Sequence, residues 1–150
     1  MDRMHLGVYY KSQTLSDEEV HAMQRATINL FERWGMHDDE AATLLGGIAP
    51  RTYQRWKNGE LGRAGPDLAA RLSNLLGIHK ALRLLFKETT RGYDWVKLPN
   101  DVFDGRSALD IMLGGQLTDL MRVRRYLDAQ CGAWWCPHHH RLLGNVAGCL

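Results

Sequence analysis

The sequence predicts an all-α protein of about seven helices. Three observations predict it. Apolar residues recur at i, i+3, i+4 spacing through most of the chain. No run alternates apolar and polar residues as a pair of strands would, and Asn58-Gly59 follows a helical pattern instead of joining two β-branched runs. Glycines and prolines fall between the periodic segments, where they punctuate helices.

The first residues form an unpatterned arm. Ser16-Asp17-Glu18-Glu19 reads as a capping box, in which the serine hydroxyl accepts from the glutamate N–H and the glutamate reaches back. Val20, Met23, Thr27, Leu30, Phe31 and Trp34 then share one face, and Gly35 ends the first helix. A short second helix starts near Asp38, where Asp39 and Glu40 suit the positive end of its dipole. Gly46-Gly47 breaks it. Pro50 suits the first turn of a third helix, because the N–H it lacks has no helical partner there. That helix runs to about Asn58, and residues 60–65 form a loop.

Pro66 and Asp67 open a fourth helix with Leu68, Ala69, Leu72, Leu75 and Leu76 inward. Gly77 is a candidate break, after which Ile78, Ala81, Leu82, Leu85 and Phe86 continue as a fifth helix or an extension of the fourth. Gly92 closes this region, and residues 92–106 read as a connector. Ser107 caps a sixth helix that ends at Gly114-Gly115, and Thr118 caps a seventh carrying Leu120, Val123 and Leu127. Beyond Gln130 the periodicity fails, leaving a tail.

The composition is that of a globular chain: 45% hydrophobic and 24% charged over 150 residues. It excludes a disordered polar chain, and no stretch offers the ~20 apolar residues of a membrane helix. No secretory signal is visible at the N-terminus, so a cytoplasmic setting is the default expectation. The three cysteines, Cys131, Cys136 and Cys149, are an odd number confined to the end, which excludes a disulfide framework and predicts that none holds the fold.

Net charge is +2. By segment, residues 1–48 hold four Lys/Arg against eight Asp/Glu, residues 49–91 nine against three, and residues 92–150 six against six. The basic middle third points to a polyanionic partner and the neutral last third to a protein partner.

Residues 38–58 have helix–turn–helix spacing, with a bracing first helix and a second suited to the major groove. Tyr53 and Trp56, three apart, bury that second helix with Leu45 and Ile48. Arg51, Thr52, Gln54, Arg55 and Lys57 then point elsewhere. Arginine matches guanine and glutamine matches adenine in bidentate pairs, each worth ~1–3 kcal/mol of discrimination. Thr52 and Lys57 suit phosphates, and Arg63 in the following loop suits another. The competing explanation is a solvated basic face on an ordinary bundle.

These residues also carry a family likeness. Ala41-Ala42-Thr43-Leu44-Leu45-Gly46-Gly47, followed by Arg55-Trp56-Lys57-Asn58-Gly59, resembles the Xre-type helix-turn-helix. Trp95 with Pro99-Asn100, Phe103-Asp104-Gly105-Arg106-Ser107, Leu109-Asp110 with Met112-Leu113, and Val123 with Tyr126-Leu127-Asp128 resemble the toxin-binding domain of Xre/MbcA/ParS antitoxins. The likeness spans roughly 20–130. Ala108 departs from it, since the family pattern usually has proline there. The resemblance implies an Xre-like helix-turn-helix part followed by a helical toxin-binding domain and a C-terminal tail. It implies a type II antitoxin that occludes a RES-domain, NAD-consuming toxin and represses its own operon through operator DNA. It implies no enzymatic activity and no cofactor.

On this basis the chain divides into an arm (1–15), a DNA-binding domain (16–91), a toxin-binding domain (92–130) and a tail (131–150). A homodimer is expected, because one short helix makes few DNA contacts. The expected toxin-facing residues are Leu109, Met112, Arg122, Arg124, Arg125, Tyr126, Trp134 and Trp135, the two tryptophans as aromatic anchors. A solvated arginine face and a hydrophobic flap folded on the chain's own core are the bland alternatives. A stand-alone transcriptional regulator with a C-terminal dimerisation region, or an adaptor that no longer touches DNA, would share the sequence features.

Cys131, Cys136 and His138-His139-His140 put soft ligands close together, but a second downstream ligand pair is missing, so no metal site is expected. No nucleophile elbow, phosphate loop or H-E-x-x-H motif is present, and no carboxylate pair is fixed on one helix, so no catalytic residue is expected.

Overall fold

The computed structural model describes residues 15–132. They form seven α-helices and one two-stranded sheet: α1 Asp17–Arg33, α2 Asp38–Leu44, α3 Pro50–Lys57, α4 Pro66–Leu85, α5 Thr89–Trp95, β1 Pro99–Asn100, β2 Arg106–Ser107, α6 Ala108–Met112 and α7 Leu117–Gly132.

The start signals act as expected on α1, α3 and α6. Glu19 N–H donates to Ser16 Oγ at 3.2 Å, and Ser16 N–H donates back to Glu19 Oε2 at 2.7 Å. Pro50 stands in the first turn of α3. Ser107 and Asp110 make the same reciprocal pair at α6, at 3.0 and 3.1 Å. Backbone hydrogen bonding to Ser107 is the main reason the Asp110 carboxyl is held below its usual range.

Helix α4 is the spine. Leu72, Leu75, Ile78 and Leu82 are fully buried along it, with α1 packed on it and α7 running beside it. Arg124 of α7 donates to Ser73 O at 3.2 Å, and Cys131 near the end of α7 donates to Ala81 O at 3.8 Å. The two helices are therefore parallel. The aromatic core of the first part is Phe31 against Trp34 and Tyr53, with Trp56, Leu44 and Leu45 around it.

Four sequence expectations change. Gly77 does not break α4, and of the two alternatives for the following segment the extension holds, to Leu85. A Cβ at Gly77 would lie 2.5 Å from the Arg124 guanidinium carbon, so the missing side chain makes room for a partner on α7. The expected connector holds a helix, α5, and a short antiparallel pairing of Pro99 with Ser107 and Asn100 with Arg106. Between the strands a 3-10 turn, Asp101–Phe103, is capped by Asn100, and the chain then passes through left-handed Asp104 and Gly105 (φ +57° and +79°). A glycine inside α5 and two-residue strands are too short or irregular for periodicity to find. Thr118 lies inside α7, and Asp119 instead accepts from Gln116 N–H at 3.1 Å. Finally, α7 continues to Gly132, and Cys131 packs against the core, so this cysteine does contribute to the fold.

Candidate functional site

Helices α2 and α3 meet across a turn that holds Gly46 and Gly47 at φ +97° and +79°. Both lie in the left-handed region that favours glycine. A Cβ at Gly46 would also sit 3.0 Å from Arg71 Nε. Tyr53 and Trp56 bury the inner face of α3 as expected, with Leu45 buried and Ile48 partly so. Burial is the main reason the Tyr53 phenol is pushed up to about 12, with Asp38 and Glu32 adding to it.

The six residues assigned to DNA do not share one state. Arg51 and Arg63 are exposed, and neither has a carboxylate partner among the described residues. Thr52 is half-buried. Lys57 reaches back to the first helix, 2.6 Å from the Asp38 carboxylate, and Gln54 Nε2 donates to the same group at 3.2 Å. Arg55 Nε pairs with Glu60 at 2.8 Å, with both side chains exposed. Sequence reasoning placed Asp38 only at a helix N-terminus. Its role as internal counter-ion arises from a helix crossing that spacing along the chain does not encode.

The basic segment also divides. Arg51, Arg55, Lys57 and Arg63 belong to the motif and its loop, whereas Arg71 is buried. Lys80 and Arg83 lie on the half of α4 beyond Gly77, and Lys87 and Arg91 lie beyond α4 itself.

The second part is organised around Tyr126. Its ring stacks on Trp95 (centroids 6.1 Å apart, interplanar angle 6°) and meets Phe103 edge-on at 5.4 Å. Burial pushes its phenol up, and a hydrogen bond with the Asn100 side chain opposes this. Arg122 covers the Phe103 ring at 5.6 Å. Arg124 is tied down by Ser73 O and by Asp128 at 3.4 Å, whereas Arg125 is exposed.

Leu109 and Met112 need correction. Both are buried, Met112 completely, because α6 turns its apolar side into the core instead of toward a partner. Beyond α4, whose Leu84 is 59% exposed, the large apolar side chains that project are Leu98 and Val102, 50% and 47% exposed, either side of the first short strand. Sequence reading missed them because they sit in the expected connector. Trp134 and Trp135 lie outside the described residues, as do Cys136 and His138–His140. Among the described residues no group of three or more His, Cys, Asp or Glu side chains converges as a metal site, and no helix is long and apolar enough to cross a membrane.

Two family models match this architecture. Residues 15–77 match the antitoxin Xre-like helix-turn-helix domain, and residues 81–132 match the antitoxin Xre/MbcA/ParS C-terminal toxin-binding domain. The match passes from one to the other inside α4. The chain is also 43% identical over 121 residues to the uncharacterized protein y4oB of Sinorhizobium fredii (strain NBRC 101917 / NGR234), covering 81% of this chain and 93% of that protein. The chain belongs to the Xre/MbcA/ParS family of antitoxins. It joins a helix-turn-helix domain to a toxin-binding domain.

Proposed function

We propose that this antitoxin silences a RES-domain, NAD-consuming toxin by covering its nucleotide cleft, and that it represses its own operon by binding operator DNA as a homodimer in the cytoplasm. The observation that carries this reading is the union, through the single helix α4, of a buried-backed helix-turn-helix with a toxin-binding domain. The choice of toxin rests on the likeness of the Phe103–Ser107 segment and its neighbours to the toxin-binding domain of Xre/MbcA/ParS antitoxins, whose usual toxin is a RES-domain protein.

The DNA half uses α3. Tyr53 and Trp56 fix its inner face, so its outer residues are presented without a large ordering cost. Arg51 in the first turn reads base edges, together with Gln54 and Arg55. Thr52, Lys57 and Arg63 hold phosphates. For Gln54, Arg55 and Lys57, binding exchanges an internal carboxylate for DNA.

The toxin half presents Arg122, Arg125 and the rim of Tyr126, with Leu98 and Val102 as apolar contacts and Trp134 and Trp135 as anchors from the tail. Arg124, engaged by α4, supports this surface from behind. Inhibition here is occlusion: the antitoxin needs no cofactor and performs no chemistry.

The DNA half is tested with a duplex from the gene's own upstream region, in a salt series. Arg51→Ala is expected to weaken binding by ~1–3 kcal/mol, and Arg63→Ala to flatten the slope of log affinity against log salt by about one. Unchanged affinity and slope in both variants would remove the recognition-helix assignment.

A further inference from the structure

One buried, triply hydrogen-bonded side chain belongs to neither proposed surface. Arg71 lies in α4 with its side chain 7% exposed. Its Nε donates to Asp67 Oδ2 at 2.8 Å, and its Nη1 donates to Leu44 O at 3.3 Å and to Gly115 O at 2.9 Å. The first partner is one turn back on the same helix. The second is the last residue of α2, at the entrance to the DNA-binding turn. The third is in the turn between α6 and α7, inside the toxin-binding domain.

The Leu44 contact completes an account. A helix leaves its last four carbonyls without helical partners. In α2 these are Ala41, Ala42, Thr43 and Leu44. Leu45, Gly47 and Gly46 N–H groups donate to the first three, at 3.1, 2.9 and 3.1 Å. The fourth carbonyl receives Arg71. The end of α2 is therefore capped by a guanidinium whose other hold is a carbonyl 44 residues further along the chain. The Gly115 turn also lies close to the end of α2, and the Gly46 turn close to α4. A Cβ at Gly115 would lie 3.5 Å from the Thr43 methyl, and one at Gly46 would press on Arg71 and Asp67.

We propose that Arg71 is a positioning residue that couples the toxin-binding domain to the DNA-binding turn. A displacement of the Gly115 turn withdraws one hydrogen bond from the guanidinium and loosens its grip on Leu44. The turn between α2 and α3 then opens more often. A partner docked on α6 and α7 thus changes how firmly α3 is presented. This rests on the antitoxin reading for its biological use, but the coupling itself is a property of the free chain.

The test is amide hydrogen exchange on the full chain, which needs neither DNA nor toxin. Gly115→Ala places a side chain at φ +83° and strains the distant turn. It is expected to speed exchange at Gly46, Gly47 and Tyr53 by about tenfold, the scale of one weakened charged hydrogen bond. In an Arg71→Met background the same amides start fast, and Gly115→Ala adds nothing. Asp67→Asn, at an exposed position, keeps the fold if Arg71→Met does not and is expected to show the same signature at smaller size. Faster exchange confined to residues 112–120, or equal effects of Gly115→Ala with and without Arg71, would overturn the coupling. A chain that shows the coupling but binds no upstream duplex would instead refute the DNA reading alone.

Discussion

The Lys57 ammonium lies 2.6 Å from the Asp38 carboxylate, across the turn that separates the two helices of the helix-turn-helix motif. The Lys57 hydrogen bond is the main reason Asp38 is held below its usual carboxyl range, and Gln54 adds to it. Lys57 also lies 5.4 Å from the Tyr53 ring centre. One side chain thus ties α3, α2 and the aromatic core together, and under the proposed function it is a side chain that DNA would compete for.

Asp38→Asn releases Lys57 and Gln54. Binding to the upstream duplex is expected to tighten, and its salt slope to steepen by about one phosphate contact. The stability effect is small, ~1 kcal/mol or less, because the pair is partly exposed. Its pH sense follows from the lowered folded value. The contribution is present above the unfolded value of 3.8 and is lost as pH falls through the folded one. On acidification the wild type should therefore show a loss of stability that Asp38→Asn does not show. Weaker DNA binding by Asp38→Asn would mean that the pair presents Lys57 instead of restraining it.

Gly77 and Arg124 are expected to be non-additive. A mid-helix glycine costs ~1 kcal/mol relative to alanine. In the wild type, Gly77→Ala gains this but displaces the Arg124 guanidinium from Ser73 O. In an Arg124→Ala background nothing stands in the way, so Gly77→Ala is expected to stabilise by about 1 kcal/mol, clearly more than in the wild type. Equal gains in the two backgrounds, read from urea midpoints, would show that the close approach does not constrain the glycine.

His79 stacks on Tyr93 with ring centres 6.0 Å apart, and its buried Nδ1 has no hydrogen-bond partner among the described residues. Burial is the main reason its pKa falls below 6.5, and Arg83 and Arg33 lower it further. The unfolded chain therefore takes up this proton first on acidification. Stability is full above 6.5 and declines as pH falls through the folded value. Arg83→Ala is expected to raise the His79 titration midpoint seen by NMR and to shrink that decline. An unmoved midpoint would remove Arg83 as a cause.

The sequence made the DNA-binding motif legible because its signals are local. A capping box, a double glycine, a proline in the first turn and an aromatic pair three apart each act within one or two turns of chain. The second part was less legible. The stack of Trp95, Phe103 and Tyr126 joins three segments of which only the last lies on a clearly periodic helix. Leu109 and Met112 looked like surface candidates because the family likeness named them, yet a five-residue helix between a short strand and a turn needs its apolar side for the core. Arg71 read as one more cation of a basic third. Its meaning appears only when a carbonyl 27 residues before it and another 44 residues after it converge on one guanidinium.

The most direct test of the central claim is to co-express the chain with the product of its adjacent gene while following growth and cellular NAD. This product alone is expected to arrest growth and deplete NAD, the intact chain to restore both, and the two proteins to purify together. A harmless neighbour, or NAD depletion that continues in the presence of the intact chain, would contradict that claim.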